Sequence, residues 1–181
     1  SEIGPLLYSV PQKDLIKSGS IVVPQIIFID TPYRPKITYS SFDVGSHITD
    51  LSLDPVRNMF LLQYIDKVFR ENPAIKPVIL TDRIAHAEFL ATSLIKKSPI
   101  LYHGELNPAT QASNLEKIKK SNGAFTIATY SSIGEGFDVP LWDTLILATP
   151  FASPIRLVQV LGRISRAAKD KNTAYVYDFI D

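Results

Sequence analysis

The sequence predicts an α/β fold in which a mostly parallel sheet carries helices on both faces, and three observations lead there. Short apolar or β-branched runs alternate with helical patterns along the chain. Each run is bounded by turn or polar residues, and the alternation argues for a parallel sheet covered on both faces. A length of 181 residues with 45% hydrophobic and 20% charged residues suits one globular unit with a buried core.

The elements follow in order. Pro11 to Gly19 reads as a short helix closed by glycine, Gln25 to Asp30 as a strand, and Thr31 to Asp54 as a proline- and polar-rich connecting stretch. Pro55 to Glu71 is a long helix with Met59, Leu62, Ile65 and Phe69 at helical spacing and Pro73 beyond its end. Strands are expected at Val78–Leu80, Ile100–Tyr102, Phe125–Ala128, Thr144–Leu147 and Ala174–Tyr177. Helices are expected between them at Ala85–Lys97, Pro108–Lys120 and Pro154–Ala168, two of which open on proline, a residue favoured in a helix's first turn.

Composition sets limits on function. Without cysteine there is no disulfide framework and no thiolate metal site, and the histidines stand apart at 47, 86 and 103, so no metal site is expected. No apolar run reaches the ~20 residues of a membrane span, and Ser1-Glu-Ile-Gly-Pro lacks the features of a signal peptide, so a cytoplasmic protein with no membrane partner is expected. A net charge of +1 argues against a highly basic coat for nucleic acid. The segment Arg156–Lys171 is nonetheless locally basic, with five Lys/Arg against one acid.

The richest stretch is Gln159-Val-Leu-Gly162-Arg163-Ile-Ser-Arg166. Continued as a helix at about 100° per residue, it puts Gln159, Arg163 and Arg166 on one polar face and Leu157, Leu161, Ile164 and Ala168 on the opposite side. Just upstream lie Ala128-Thr129, then Gly134-Glu-Gly136-Phe-Asp138-Val-Pro140, then the apolar run Thr144–Ala148. Together these resemble motifs V and VI of the superfamily 2 helicases and translocases, the DEAD/DEAH-type ATPases: Ala-Thr, Gly-x-Asp-x-Pro, a strand, and Gln-x-x-Gly-Arg-x-x-Arg. Lys171 to Asp181 looks like the closing strand of the same domain, and Leu15-Ile-Lys-Ser-Gly19-Ser-Ile-Val-Val-Pro24 resembles the family's bridge between two motor domains.

The resemblance implies a RecA-like C-terminal motor domain at 25–181, with 1–24 as interdomain connector or, alternatively, an N-terminal ornament. It implies ATP and Mg2+ as cofactors, held mainly by a RecA-like domain N-terminal to this one in the same polypeptide, because no Gly-x-x-x-x-Gly-Lys-Ser/Thr loop and no strand-ending Asp-Glu pair occurs here. Arg166 is then the leading arginine finger with Arg163 beside it, Gln159 a partner in the cleft, and Gly136 and Asp138 part of the ATP-binding loop. The lesser alternative for Asp138 is a turn-former before Val139-Pro140.

Nucleic-acid contacts are expected in loops that follow strands: Arg83 after Asp82, His103 with Gly104, and Thr129 with Tyr130, similar to motifs IV, IVa and V. Asp82 offers Arg83 an internal partner, and His103 can bond internally. Where many family members carry an arginine after His-Gly, Thr110-Gln111 stands here. Connector and motif style are closer to DNA repair, recombination and restriction-type translocases than to RNA DEAD-box proteins, so DNA is expected ahead of RNA. The alternatives are a helicase-derived module that binds protein or nucleic acid without catalysis, and a flavodoxin- or Rossmann-like enzyme, which needs a glycine-rich loop after its first strand that is absent.

Overall fold

A computed structural model of the chain describes residues 21–35, 43–121, 123–133, 142–151, 154–166, 171 and 173–181. Among the described residues six strands form one sheet: β1 (Pro24–Asp30), β2 (Pro77–Thr81), β3 (Ile100–Tyr102), β4 (Thr126–Thr129), β5 (Thr144–Leu147) and β6 (Ala174–Ile180). Their order is β1-β6-β5-β2-β4-β3 and every pairing is parallel. All carboxyl ends therefore lie along one rim, with β2 central.

The helices are α1 (Val44–Leu53), α2 (Pro55–Glu71), α3 (Ile84–Ser93), α4 (Pro108–Lys120) and α5 (Pro154–Ile164), with a 3-10 turn at Ile95–Lys97. Strand pleating sends alternate residues to opposite faces. Val78, Leu80, Leu145 and Leu147 pack toward Ile118 of α4 and Val160 and Ile164 of α5. Ile79, Ile127 and Ile146 pack toward Leu61 and Ile65 of α2 and Leu90 of α3. Two cores, one per face, make the sheet a covered layer.

Local chemistry explains where the helices start. The Asp54 side chain accepts from the Arg57 amide at 2.7 Å and the Asn107 side chain from the Thr110 amide at 2.9 Å, each followed by proline as first helical residue. Ser98 adopts φ 53°, ψ 52° and turns the chain out of the 3-10 segment toward β3.

The structure differs from the sequence expectations at three helices. Helix α1 stands where a connecting stretch was expected. Gly45, Ser46 and Thr49 are weak helix formers, but burial of Ile48 and Leu51 overrides propensity. In α2 the buried residues are Arg57, Asn58, Leu61, Ile65 and Val68, while Met59 is 56% exposed. The helix thus has a second apolar stripe away from the sheet. The expected long helix from Ala85 breaks into α3 and the 3-10 turn.

Candidate nucleotide and nucleic-acid interface

At the rim of carboxyl ends, backbone bonds continue past the strands: the Tyr130 amide donates to the Thr81 carbonyl at 2.9 Å and the Ala148 amide to the Leu80 carbonyl at 2.8 Å. Thr149 is the hub that follows. Its hydroxyl accepts from the Asp82 amide at 2.9 Å and its carbonyl accepts from the Tyr130 hydroxyl. The loops after β2, β4 and β5 are thereby fixed to one another. Burial pushes the Tyr130 phenol up, so it stays neutral and donates.

The residues expected to grip nucleic acid occupy this rim, but mostly beneath its surface. Thr129 is 1% and Tyr130 5% exposed, with the Phe151 ring against Tyr130 at 3.9 Å between centroids. The Thr129 hydroxyl is engaged with Ser131 and Ser132. His103 is 3% exposed, and both ring nitrogens lack a hydrogen bond, the nearest charge being the Glu88 carboxylate at 3.6 Å from Nε2. Gly104 and Ser131 are the exposed members of those loops.

Arg83 is at the rim with its donors engaged. Its guanidinium reaches Asp82 at 2.6 Å, the Gly45 carbonyl at 2.6 Å and the Thr49 hydroxyl at 3.1 Å. It pins α1 to the loop after β2. Asp82 is thus its internal partner, the alternative the adjacent carboxylate suggested.

Helix α5 carries the arginine motif. Val160 and Ile164 are buried with Leu157 and Leu161 packed partly against the same core, while Gln159 and Gly162 are exposed and Arg163 is half-buried. A Cβ at Gly162 would meet nothing within 4 Å. The described helix stops at Ile164, short of the expected Ala168, so Arg166 leaves the helical face it was expected to share with Gln159. The Ser165 hydroxyl donates to the Leu161 carbonyl at 2.7 Å, and the Ser165 carbonyl accepts from the Val22 amide at 2.7 Å. Arg166 forms an antiparallel bridge with Ile21 and is exposed. Lys171 donates to the Ile164 carbonyl at 2.5 Å, capping the helix end, and burial lowers its pKa to about 8. Gly134, Gly136 and Asp138, Ala168, and residues 1–20 of the connector lie outside the described residues.

Beside this helix a hollow of about 280 Å3 opens between the ends of β5 and β6, with Phe151, Leu157 and Asp178 in its wall. Burial, then the charge of Asp181, raise the Asp178 pKa. Sequence reasoning did not find the clamp below it. Arg57, fully buried, holds Asp181 in two bonds of 2.6 and 2.9 Å and donates to the Ala148 carbonyl at 2.9 Å. No local pattern signals a pair 124 residues apart. Among the described residues no group of three His, Asp or Glu is placed to hold a metal ion, and no helix is long and apolar enough to cross a membrane.

Comparisons with known proteins agree with this architecture. The transcript termination protein A18 of Yaba monkey tumor virus (strain VR587) is 30% identical over 128 residues, covering 70% of this chain and 27% of that protein. Putative helicase 161L of Invertebrate iridescent virus 6 is 28% identical over 169 residues, covering 84% of this chain and 36% of that protein. The chain therefore spans about a third of these relatives' length or less. T4 UvsW superposes with a TM-score of 0.62 at 18% identity over 86% of this chain and 32% of that one. Domain 2 of the DEAD-box helicase Mss116p, solved bound to an RNA duplex, gives 0.54 at 17% identity over 87% of this chain and 54% of that one. These likenesses show the RecA-like fold. A family model described as the helicase conserved C-terminal domain matches residues 59–168, and the chain belongs to that family.

Proposed function

We propose that this chain is the C-terminal motor domain of an ATP-dependent nucleic-acid helicase or translocase, contributing arginines to a nucleotide site whose phosphate loop and magnesium carboxylate come from a preceding RecA-like domain. The observation that carries the reading is α5: Gln159 exposed and Arg163 half-buried one turn on, opposite a packed stripe, with Arg166 exposed just past the helix end. Guanidinium groups there suit a transferring phosphoryl group, where catalysis is mostly positioning and charge stabilisation. The donor set fits the triphosphate, and no clustered carboxylates among the described residues fit the metal. ATP and Mg2+ would then supply the phosphoryl chemistry from across an interdomain cleft. The loop of Gly136 and Asp138 would approach the nucleotide.

For the strand, Arg83, His103, Gly104 and the Thr129–Tyr130 loop remain the proposed contacts, with the Tyr130 hydroxyl tying that loop to the Thr149 carbonyl from below. DNA is put ahead of RNA on connector and motif style. The test is nucleic-acid-stimulated ATPase of the two-domain protein. Arg166→Ala and Arg163→Ala should each lower turnover by on the order of 10³ with little change in thermal unfolding. Turnover at the parent rate in both variants would overturn the reading.

A further inference from the structure

The second apolar stripe of α2 faces a furrow rather than the sheet. The part of that furrow next to α1 is a cavity of about 580 Å3 walled by Leu53, Met59, Leu62 and Phe89. Leu53 is 67%, Met59 56% and Phe89 42% exposed. Four large apolar side chains around one cavity form a patch rather than the scattered single residues usual on a surface.

The floor needs nothing from an occupant. His86 is bonded to the Thr81 hydroxyl at 2.7 Å and to the Asn58 side-chain oxygen at 3.0 Å, and Asn58 donates to the Ser52 carbonyl at 2.8 Å. With those polar groups satisfied, the groove rewards apolar anchors.

The furrow continues past Leu62 and Gln63 into a second hollow of about 410 Å3 whose wall changes character, with Arg70, Lys96 and Lys97 against Asp66 alone. Lys97 and Arg70 both turn to that carboxylate, at 2.9 and 3.5 Å. Three cations and one acid line this end, so it is positive. Running beside a 17-residue helix, the furrow has the length of several turns of a second helix, about 25 Å at most.

We propose that the furrow between α2 and α3 is a docking groove for an amphipathic helix of a partner protein, with leucine-type anchors seated between Met59 and Phe89 and acidic residues at the Lys96 end. The groove lies on the sheet face opposite α5, so an occupant leaves the arginines accessible. Apolar spacing gives the anchors and the cationic end sets the direction, the division of labour seen in helix-in-groove recognition.

The experiment uses the 181-residue chain and a fluorescent peptide of about four turns with leucines at i, i+4 and i+7 and glutamates at one end, read by anisotropy. A scrambled peptide and one ending in lysines are the comparisons. The acidic peptide should bind at least about tenfold more tightly than either. Met59→Glu, at an exposed position, should weaken it by about tenfold or more, and Lys96→Glu with Arg70→Glu, both on the surface, should reverse the preference between acidic and basic ends. Equal binding of the scrambled peptide, no binding near roughly 1 mM, or indifference to both variants would overturn the proposal. So would a dimer in sedimentation that Met59→Glu dissolves, which assigns the groove to a second copy.

Discussion

Single side chains here carry consequences out of proportion to their visibility in the sequence. Arg57 and Asp181 are both buried at the side chain, 0% and 2% exposed, and removing one partner leaves the other charge unpaired. Asp181→Ala should therefore cost about 3–5 kcal/mol, read from urea unfolding, and Arg57→Met combined with it should recover part of the loss. His86 gives a pH signature. Burial first, then the Arg57 charge, lower its pKa to about 3 from 6.5, so the folded state resists a proton that the unfolded chain accepts. Its contribution is present above pH ~6.5 and is lost as pH falls from there toward 3. His86→Gln should flatten the pH dependence of the urea midpoint over that window. Lys171 works in the alkaline direction: with its folded pKa lowered to about 8 from 10.5, it adds stability as pH rises between those values.

At the scale of elements, what the sequence reveals depends on whether the cause is local. β2, β4 and β5 were legible because strands buried on both faces are runs of apolar and β-branched residues, and α2 and α4 because a cap and a proline stand at their starts. Helix α1 was illegible, since its capping residue makes no side-chain bond and its hold comes from Arg83, 38 residues away from Gly45. Arg83→Met should release it, seen as faster amide exchange across 44–53 while β2 stays protected. The end of α5 was likewise set by Val22 and Ser165 meeting across the chain, which no helical wheel shows. The arginines of the candidate site were readable from residue type and spacing, but the departure of Arg166 from the helical face was not. Gly162→Ala discriminates two uses of that helix. With open space around the added methyl, it should stabilise the chain by about 0.5–1 kcal/mol in thermal unfolding. A simultaneous loss of ATPase in the two-domain protein would mark Gly162 as a point of close backbone approach.

For the whole molecule, the rim of strand ends is a surface of backbone and hydroxyl groups with few side-chain cations to spare. Affinity for nucleic acid should accordingly be weak, indifferent to sequence and strongly salt-dependent, and the isolated chain should show no ATP turnover. Titrations at two salt concentrations and a phosphate-release assay check both. The sheet order has a further consequence for how the chain is made. Among the described strands β1 pairs only with β6, and residues 24–30 meet residues 174–180. On the ribosome β1 must wait, its Ile27 and Ile29 still bare, until β6 has been translated. The interval between those two events is when the nascent chain most needs a chaperone, and rare codons placed between β5 and β6 would lengthen it.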